Sequence, residues 1–140
     1  MIMNLNPLVW YEDNFVTDYE CDQIIELSRG SLERSQVQEA SGERVEHEGR
    51  TSQNTWLDPK ENDIVKNIYD RVAQKLCMNP IQCEPLQVVN YGSTQEYKPH
   101  FDTFTDIEEE NANGGQRVMT ALLYLNTPIS GGGTVFPELY

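Results

Sequence analysis

His100 and Asp102 stand two residues apart in the segment YGSTQEYKPHFDTF, residues 91–104, which otherwise reads as strand. Successive strand side chains point to opposite faces, so residues i and i+2 share one face and both groups can reach a single metal ion. One imidazole and one carboxylate are two of the three protein ligands of a non-haem iron(II) site of the 2-His-1-carboxylate kind, whose remaining positions stay open. The third ligand has no obvious source. The only other histidine, His47, lies far upstream in a polar stretch with glutamate on both sides. On its own H-x-D is a weak signal, because an exposed strand histidine beside a surface aspartate reads the same way.

The elements that must position this pair are legible from pattern. Thr17 and Glu20 form a capping box, Ile24, Ile25, Leu27 and Ser28 follow at roughly helical spacing, and Gly30 supplies a stop. Asp58 as cap and Pro59 at the first helical position, with Glu61 three residues after the cap, predict a second helix. Its stripe of Ile64, Val65, Ile68, Tyr69, Val72, Ala73 and Leu76 keeps the i, i+3, i+4, i+7 spacing. Between the helices, residues 35–48 read as a hairpin tip or mobile loop joining two short strands. From Pro85 onward the texture is β: a strand over 86–91, a turn cluster at 111–115, and a long apolar strand over 117–126. Three glycines at 131–133 then turn the chain into another strand at 134–136. Helices followed by strands predict an α+β fold, with the helices packed against a β-sandwich or jelly roll.

Composition bounds the rest. The chain has 140 residues, room for one domain, with 38% hydrophobic residues arranged in periodic blocks. A net charge of -13 and a pI near 4.4 argue against nucleic acid as a partner. The acidic run at 106–110 reads as a solvated loop. Cys21, Cys77 and Cys83 are an odd count without a C-x-x-C pair, which fits reduced thiols in a cytoplasmic setting. Cys21 and Cys77 fall within helical apolar patterns and read as core thiols. No secretory leader and no membrane-spanning apolar run is visible.

Beyond H-x-D, the chain carries an ordered series: Tyr91, Tyr97, Pro99, His100, Asp102 and Phe104, then Gly114, Gly115, Gln116 and Arg117. Thr120, Tyr124, Leu125 and Asn126 follow, and then G-G-x-T-x-F-P over 131–137. With this series, and with L-E-R-S at 32–35, R-T-S at 50–52 and Trp56 upstream, the chain resembles the prolyl 4-hydroxylase family of Fe(II)- and 2-oxoglutarate-dependent dioxygenases. The likeness is greatest to the small viral, algal and bacterial members.

That resemblance implies a double-stranded β-helix, or jelly roll, in which residues 1–82 form a helical and strand support and residues 83–140 the first part of the core. It implies His100 and Asp102 as iron ligands, Tyr91 and Thr134 as residues that hold 2-oxoglutarate, and Arg117 as a contact to the peptide substrate. It further implies Fe(II), 2-oxoglutarate and ascorbate as requirements and a proline-containing peptide as substrate. The family's distal histidine and the basic partner of the 2-oxoglutarate carboxylate lie beyond the G-G-x-T-x-F-P turn, where this sequence stops. The expectation is therefore an oxidoreductase form whose closing strands are missing and which alone is inactive. The competing expectations are a non-catalytic remnant serving as a binding module, and a chain completed by another chain or a second copy through its exposed strand edges.

Overall fold

Thr17 opens the first helix because both halves of its capping box form: its hydroxyl accepts from Glu20 N, and the Glu20 carboxylate accepts from Thr17 N at 2.9 Å. A computed structural model describes residues 1–38, 44–45 and 48–139. In chain order the elements are β1 (Ile2–Leu5), β2 (Leu8–Trp10), α1 (Asp18–Arg29), β3 (Glu33–Arg34), β4 (Val37–Gln38), β5 (Arg44–Val45), β6 (Gln53–Leu57), α2 (Asp63–Lys75), β7 (Leu86–Asn90) and α3 (Ile107–Ala112). All strand pairs are antiparallel: β1 with β2, β4 with β5, and a three-stranded sheet in the order β3-β6-β7. The architecture is a small α+β fold with antiparallel sheets, as expected in class, but strands precede and separate the helices, and among the described residues no closed jelly roll forms.

The core lies where the two helices meet one face of the β6–β7 pair. Ile24 of α1, Val65 and Ile68 of α2 and Val88 of β7 are buried, and Val16, Leu57, Ile64, Val72, Leu86, Leu123 and Leu125 pack around them. Arg71 pins the helices together: it bonds both oxygens of Glu20, donates to Phe15 O and lies over the Phe15 ring.

Four local expectations change. The second helix starts at Asp63, because the Asn62 side chain accepts from both Ile64 N and Val65 N, whereas Asp58 caps only a turn through Lys60 N. Cys77 is exposed, unlike buried Cys21. It sits just past the end of α2 at φ 55, where Met78 N bonds Ala73 O and Cys77 N bonds Gln74 O. That is a Schellman ending, in a position that glycine ordinarily fills. The run at 106–110 is largely helical: Asp106 caps α3 by accepting from Glu108 N and Glu109 N.

The fourth change is the largest. Residues 117–126 and 134–136 form no assigned strand, and among the described residues 118–135 make no backbone–backbone hydrogen bond. The side chains nevertheless keep a period of two around residue 124. Leu123 and Leu125 turn to the core while Leu122 and Tyr124 stay exposed. The apolar pattern thus sets the orientation, and no neighbouring strand supplies the ladder. At the following turn Gly131 and Gly132 have φ of 72 and 74, and a Cβ on Gly132 would stand 2.8 Å from Pro128 Cγ.

Two outcomes follow from these contacts. Cys77→Gly is expected to raise stability by about 1 kcal/mol in urea unfolding, since it removes the left-handed penalty without touching the core. The Arg71 guanidinium holds the Glu20 carboxyl below its ordinary value of 4.5, helped by Thr17 N. Its stabilisation is therefore complete above that value and is lost as pH falls through the lower folded-state one. Glu20→Gln keeps the cap but not the charge, so below about pH 5 its stability should fall less steeply than that of the native chain.

Candidate metal centre

The chain reaches the His100 segment through a short antiparallel contact with residues 49–51. Arg50 and Tyr97 form an isolated bridge, Thr51 N donates to Glu96 O at 3.0 Å, and Lys98 N donates to Gly49 O at 2.9 Å. Beyond Lys98 no strand is assigned, so residues 99–104 are held mainly by side chains. Gln116 does most of this. Its Oε1 accepts from Phe104 N at 2.7 Å and Arg117 N at 2.9 Å, and its Nε2 donates to Phe104 O at 3.0 Å. One side-chain amide thereby stands in for a neighbouring strand.

Arg117 supplies the second hold. It donates to both carboxylate oxygens of Glu84 at 2.5 and 2.8 Å and to Asp102 O at 3.1 Å, and it lies over the Phe104 ring at 4.2 Å. Its hydrogen bonds to Glu84 raise its already high pKa, so it remains a cation.

These contacts bring His100 and Asp102 together although residues 91–104 are not the strand that the i, i+2 argument supposed. His100 Nε2 lies 3.2 Å from Asp102 Oδ1, with the two side chains 35% and 49% exposed. His100 Nδ1 lies 2.8 Å from Lys98 O, and the ring stacks on Tyr97 with centroids 3.5 Å apart and 17° between planes. A carbonyl accepts only, so Nδ1 carries the hydrogen and the neutral ring presents Nε2 as a lone pair. A lone pair and a carboxylate oxygen at that distance repel unless a proton or a cation lies between them. Two ligands about 2.1 Å from one ion and at right angles are about 3 Å apart, so the observed spacing suits a shared metal. Tethering the second nitrogen to a carbonyl is also the usual support of a metal-bound imidazole.

Among the described residues no three metal-ligating side chains converge, so the pair fits two positions of an iron site. His47 lies outside the described residues. Tyr91 follows β7, 48% exposed, and Thr134 Oγ1 lies 2.6 Å from Tyr124 Oη. Neither shares a hydrogen bond with His100, Asp102 or Arg117. Reasoning on the sequence assigned no role to Glu84, Tyr97, Gln116 or Thr120. Thr120, whose hydroxyl bonds Asp102 Oδ2 at 2.5 Å, had a signal: it is the one polar side chain in the apolar run 118–123.

Comparison with known proteins gives the following likenesses. Residues 86–139 match the model of the 2OG-Fe(II) oxygenase superfamily, a span that starts at β7 and includes His100 and Asp102. The chain is 39% identical over 136 residues to probable prolyl 4-hydroxylase 7 of Arabidopsis thaliana, covering 96% of this chain and 43% of that protein. It is 38% identical over 133 residues to prolyl 4-hydroxylase 2 of the same plant, covering 94% and 44% respectively. Over its second part the chain is similar to 2OG-Fe(II) oxygenases, and over nearly its whole length to part of the plant prolyl 4-hydroxylases. It spans less than half the length of these relatives, which are plant proteins and lend no support to a viral or bacterial source.

The tautomer is directly measurable. In ¹⁵N–¹H correlation spectra of the metal-free protein, neutral His100 is expected to carry its hydrogen on Nδ1. A spectrum of the Nε2–H form would remove the metal-ready arrangement.

Proposed function

We propose that this chain carries the His–Asp half of the iron centre of a prolyl hydroxylase that uses 2-oxoglutarate. The observation that carries the reading is the approach of His100 Nε2 to Asp102 Oδ1 at 3.2 Å, each group fixed from behind by Lys98 O and Thr120. Residues 83–140 would be the jelly-roll core, with 117–126 and 134–136 as its strands, and residues 1–82 its support. The start of the family match at residue 86 favours that division.

An iron–2-oxoglutarate pair, when bound, would supply the oxidising chemistry with dioxygen as oxidant: one oxygen atom enters succinate as the cosubstrate loses carbon dioxide, and the other is delivered as hydroxyl to an unactivated carbon. The protein's part is to bind and to orient. His100 and Asp102 give one neutral and one anionic donor, so a divalent ion keeps net positive charge for the cosubstrate's carboxylate. Thr134 and Tyr124 share one hydrogen between two hydroxyl oxygens, so the pair retains an O–H to donate to an anion. That supports Thr134 as a cosubstrate contact, with Tyr91 as the second. Arg117 has three of its five N–H groups committed, which leaves two for a peptide carbonyl of a proline-containing substrate. Ascorbate is the expected auxiliary reductant. The three free thiols suit a reducing compartment such as the cytoplasm, and among the described residues no helix is long and apolar enough to cross a membrane.

The exposed face of residues 118–136 favours a second reading. Val118 is 70% exposed, Leu122 60% and Val135 73%, an apolar face beside unpaired backbone. A chain with such a face suits a binding module, or one that accepts strands from another chain or a second copy.

Mn(II) with 2-oxoglutarate separates the readings. A tenfold excess over Kd should raise Tm by about 4 °C, and Asp102→Ala should abolish the rise. No rise with the native chain would sink the metal-centre reading. With Fe(II), ascorbate and a proline-rich peptide, two converging ligands are expected to give no succinate above a protein-free blank. Turnover that His100→Ala abolishes would overturn that expectation.

A further inference from the structure

The two oxygens of the Asp102 carboxylate have different neighbours. Oδ1 faces His100 Nε2 at 3.2 Å, while Oδ2 accepts from the Thr120 hydroxyl at 2.5 Å. The Asp102 main-chain carbonyl is tied separately, by Arg117 Nη1 at 3.1 Å. Backbone and side chain of Asp102 are therefore gripped by two residues of the same 117–120 stretch, one turning the chain and the other turning the carboxylate.

We propose that Thr120 is the positioning residue that fixes the denticity of Asp102. Its hydrogen bond engages Oδ2 and leaves Oδ1 as the freer oxygen facing His100, so the carboxylate would offer a metal one oxygen rather than two. The inference rests on the metal-centre reading above. A short hydroxyl–carboxylate bond is charge-assisted, and Asp102 is half exposed, so without Thr120 the carboxylate could rotate freely about its Cβ–Cγ bond. Free rotation would offer a metal both oxygens. It would also weaken the ion's hold, because the ligand loses a fixed orientation.

Thr120 is itself exposed, and Val is close to it in shape, so Thr120→Val removes the hydroxyl with little change of packing. Thr120→Ala is a second hydroxyl-free variant should Val not fold, and Thr120→Ser restores the donor. Co(II), a divalent ion with visible d–d bands, is the probe, titrated into the full 140-residue chain by calorimetry and absorption. The native chain and Thr120→Ser are expected to share one spectrum and Kd values within about threefold of each other. Thr120→Val and Thr120→Ala should bind about tenfold or more weakly, with altered d–d bands. Unchanged affinity and spectrum in the hydroxyl-free variants, with the native chain still dependent on His100, would overturn the role of Thr120 alone. Absence of saturable Co(II) binding by the native chain would overturn the metal-centre reading and this proposal with it.

Discussion

Everything at the candidate site hangs on how residues 99–104 are held without a strand beside them. The Gln116 amide answers both polar groups of the Phe104 backbone, with bonds of 2.7 and 3.0 Å. A buried or half-buried backbone must find partners, and here a single side chain provides them. Arg117, the next residue, then reaches back to Asp102 O and across to Glu84. Because Glu84 lies just ahead of β7, that ion pair joins the H-x-D segment to the β3-β6-β7 sheet. The His100–Asp102 pair is thus anchored at one end by the Arg50–Tyr97 bridge and at the other by Gln116 and Arg117.

Side-chain anchoring has a different character from a ladder. Ladder bonds are cooperative, and each strand pair fixes several residues at once. The anchors of residues 99–104 are individual and half exposed, so each competes with water and contributes modestly. Their value lies in geometry. Tyr97 sets the plane of the His100 ring, Lys98 O sets its tautomer, and Arg117 sets the backbone at Asp102. The result is two donor atoms at ligand spacing with no strand assigned over 99–104.

Local signals in the sequence reported the helices well and the later β region poorly, for a physical reason. A capping box and an i, i+3, i+4 stripe are satisfied within a dozen residues, so Thr17, Glu20 and the Val65–Ile68 face were legible. The start of α2 was misplaced because Asp58-Pro59 and Asn62 are both good caps, and only the geometry decides which one accepts two N–H groups. A strand, by contrast, exists only with a partner. The run 117–126 shows the right alternation, Leu123 and Leu125 inward and Leu122 and Tyr124 outward, yet among the described residues nothing pairs with it. The closeness of His100 and Asp102 was legible from the H-x-D spacing. Glu84 and Gln116 were not, because the distances that give them meaning, 33 residues to Arg117 and 12 to Phe104, leave no local trace.

The charge of the chain sharpens what the site must achieve. With 23 acidic side chains and a net charge of -13, the surface attracts divalent cations at many points, each weakly and each screened by salt. Attraction alone therefore cannot choose His100 and Asp102. An imidazole nitrogen can, because it favours transition metals over the calcium and magnesium that carboxylates prefer, and a fixed tautomer makes that nitrogen available without rearrangement. The acid-rich surface raises the local concentration of cations. If the pair binds a metal as proposed, the hydrogen bond at the back of His100 would help decide which of them is kept.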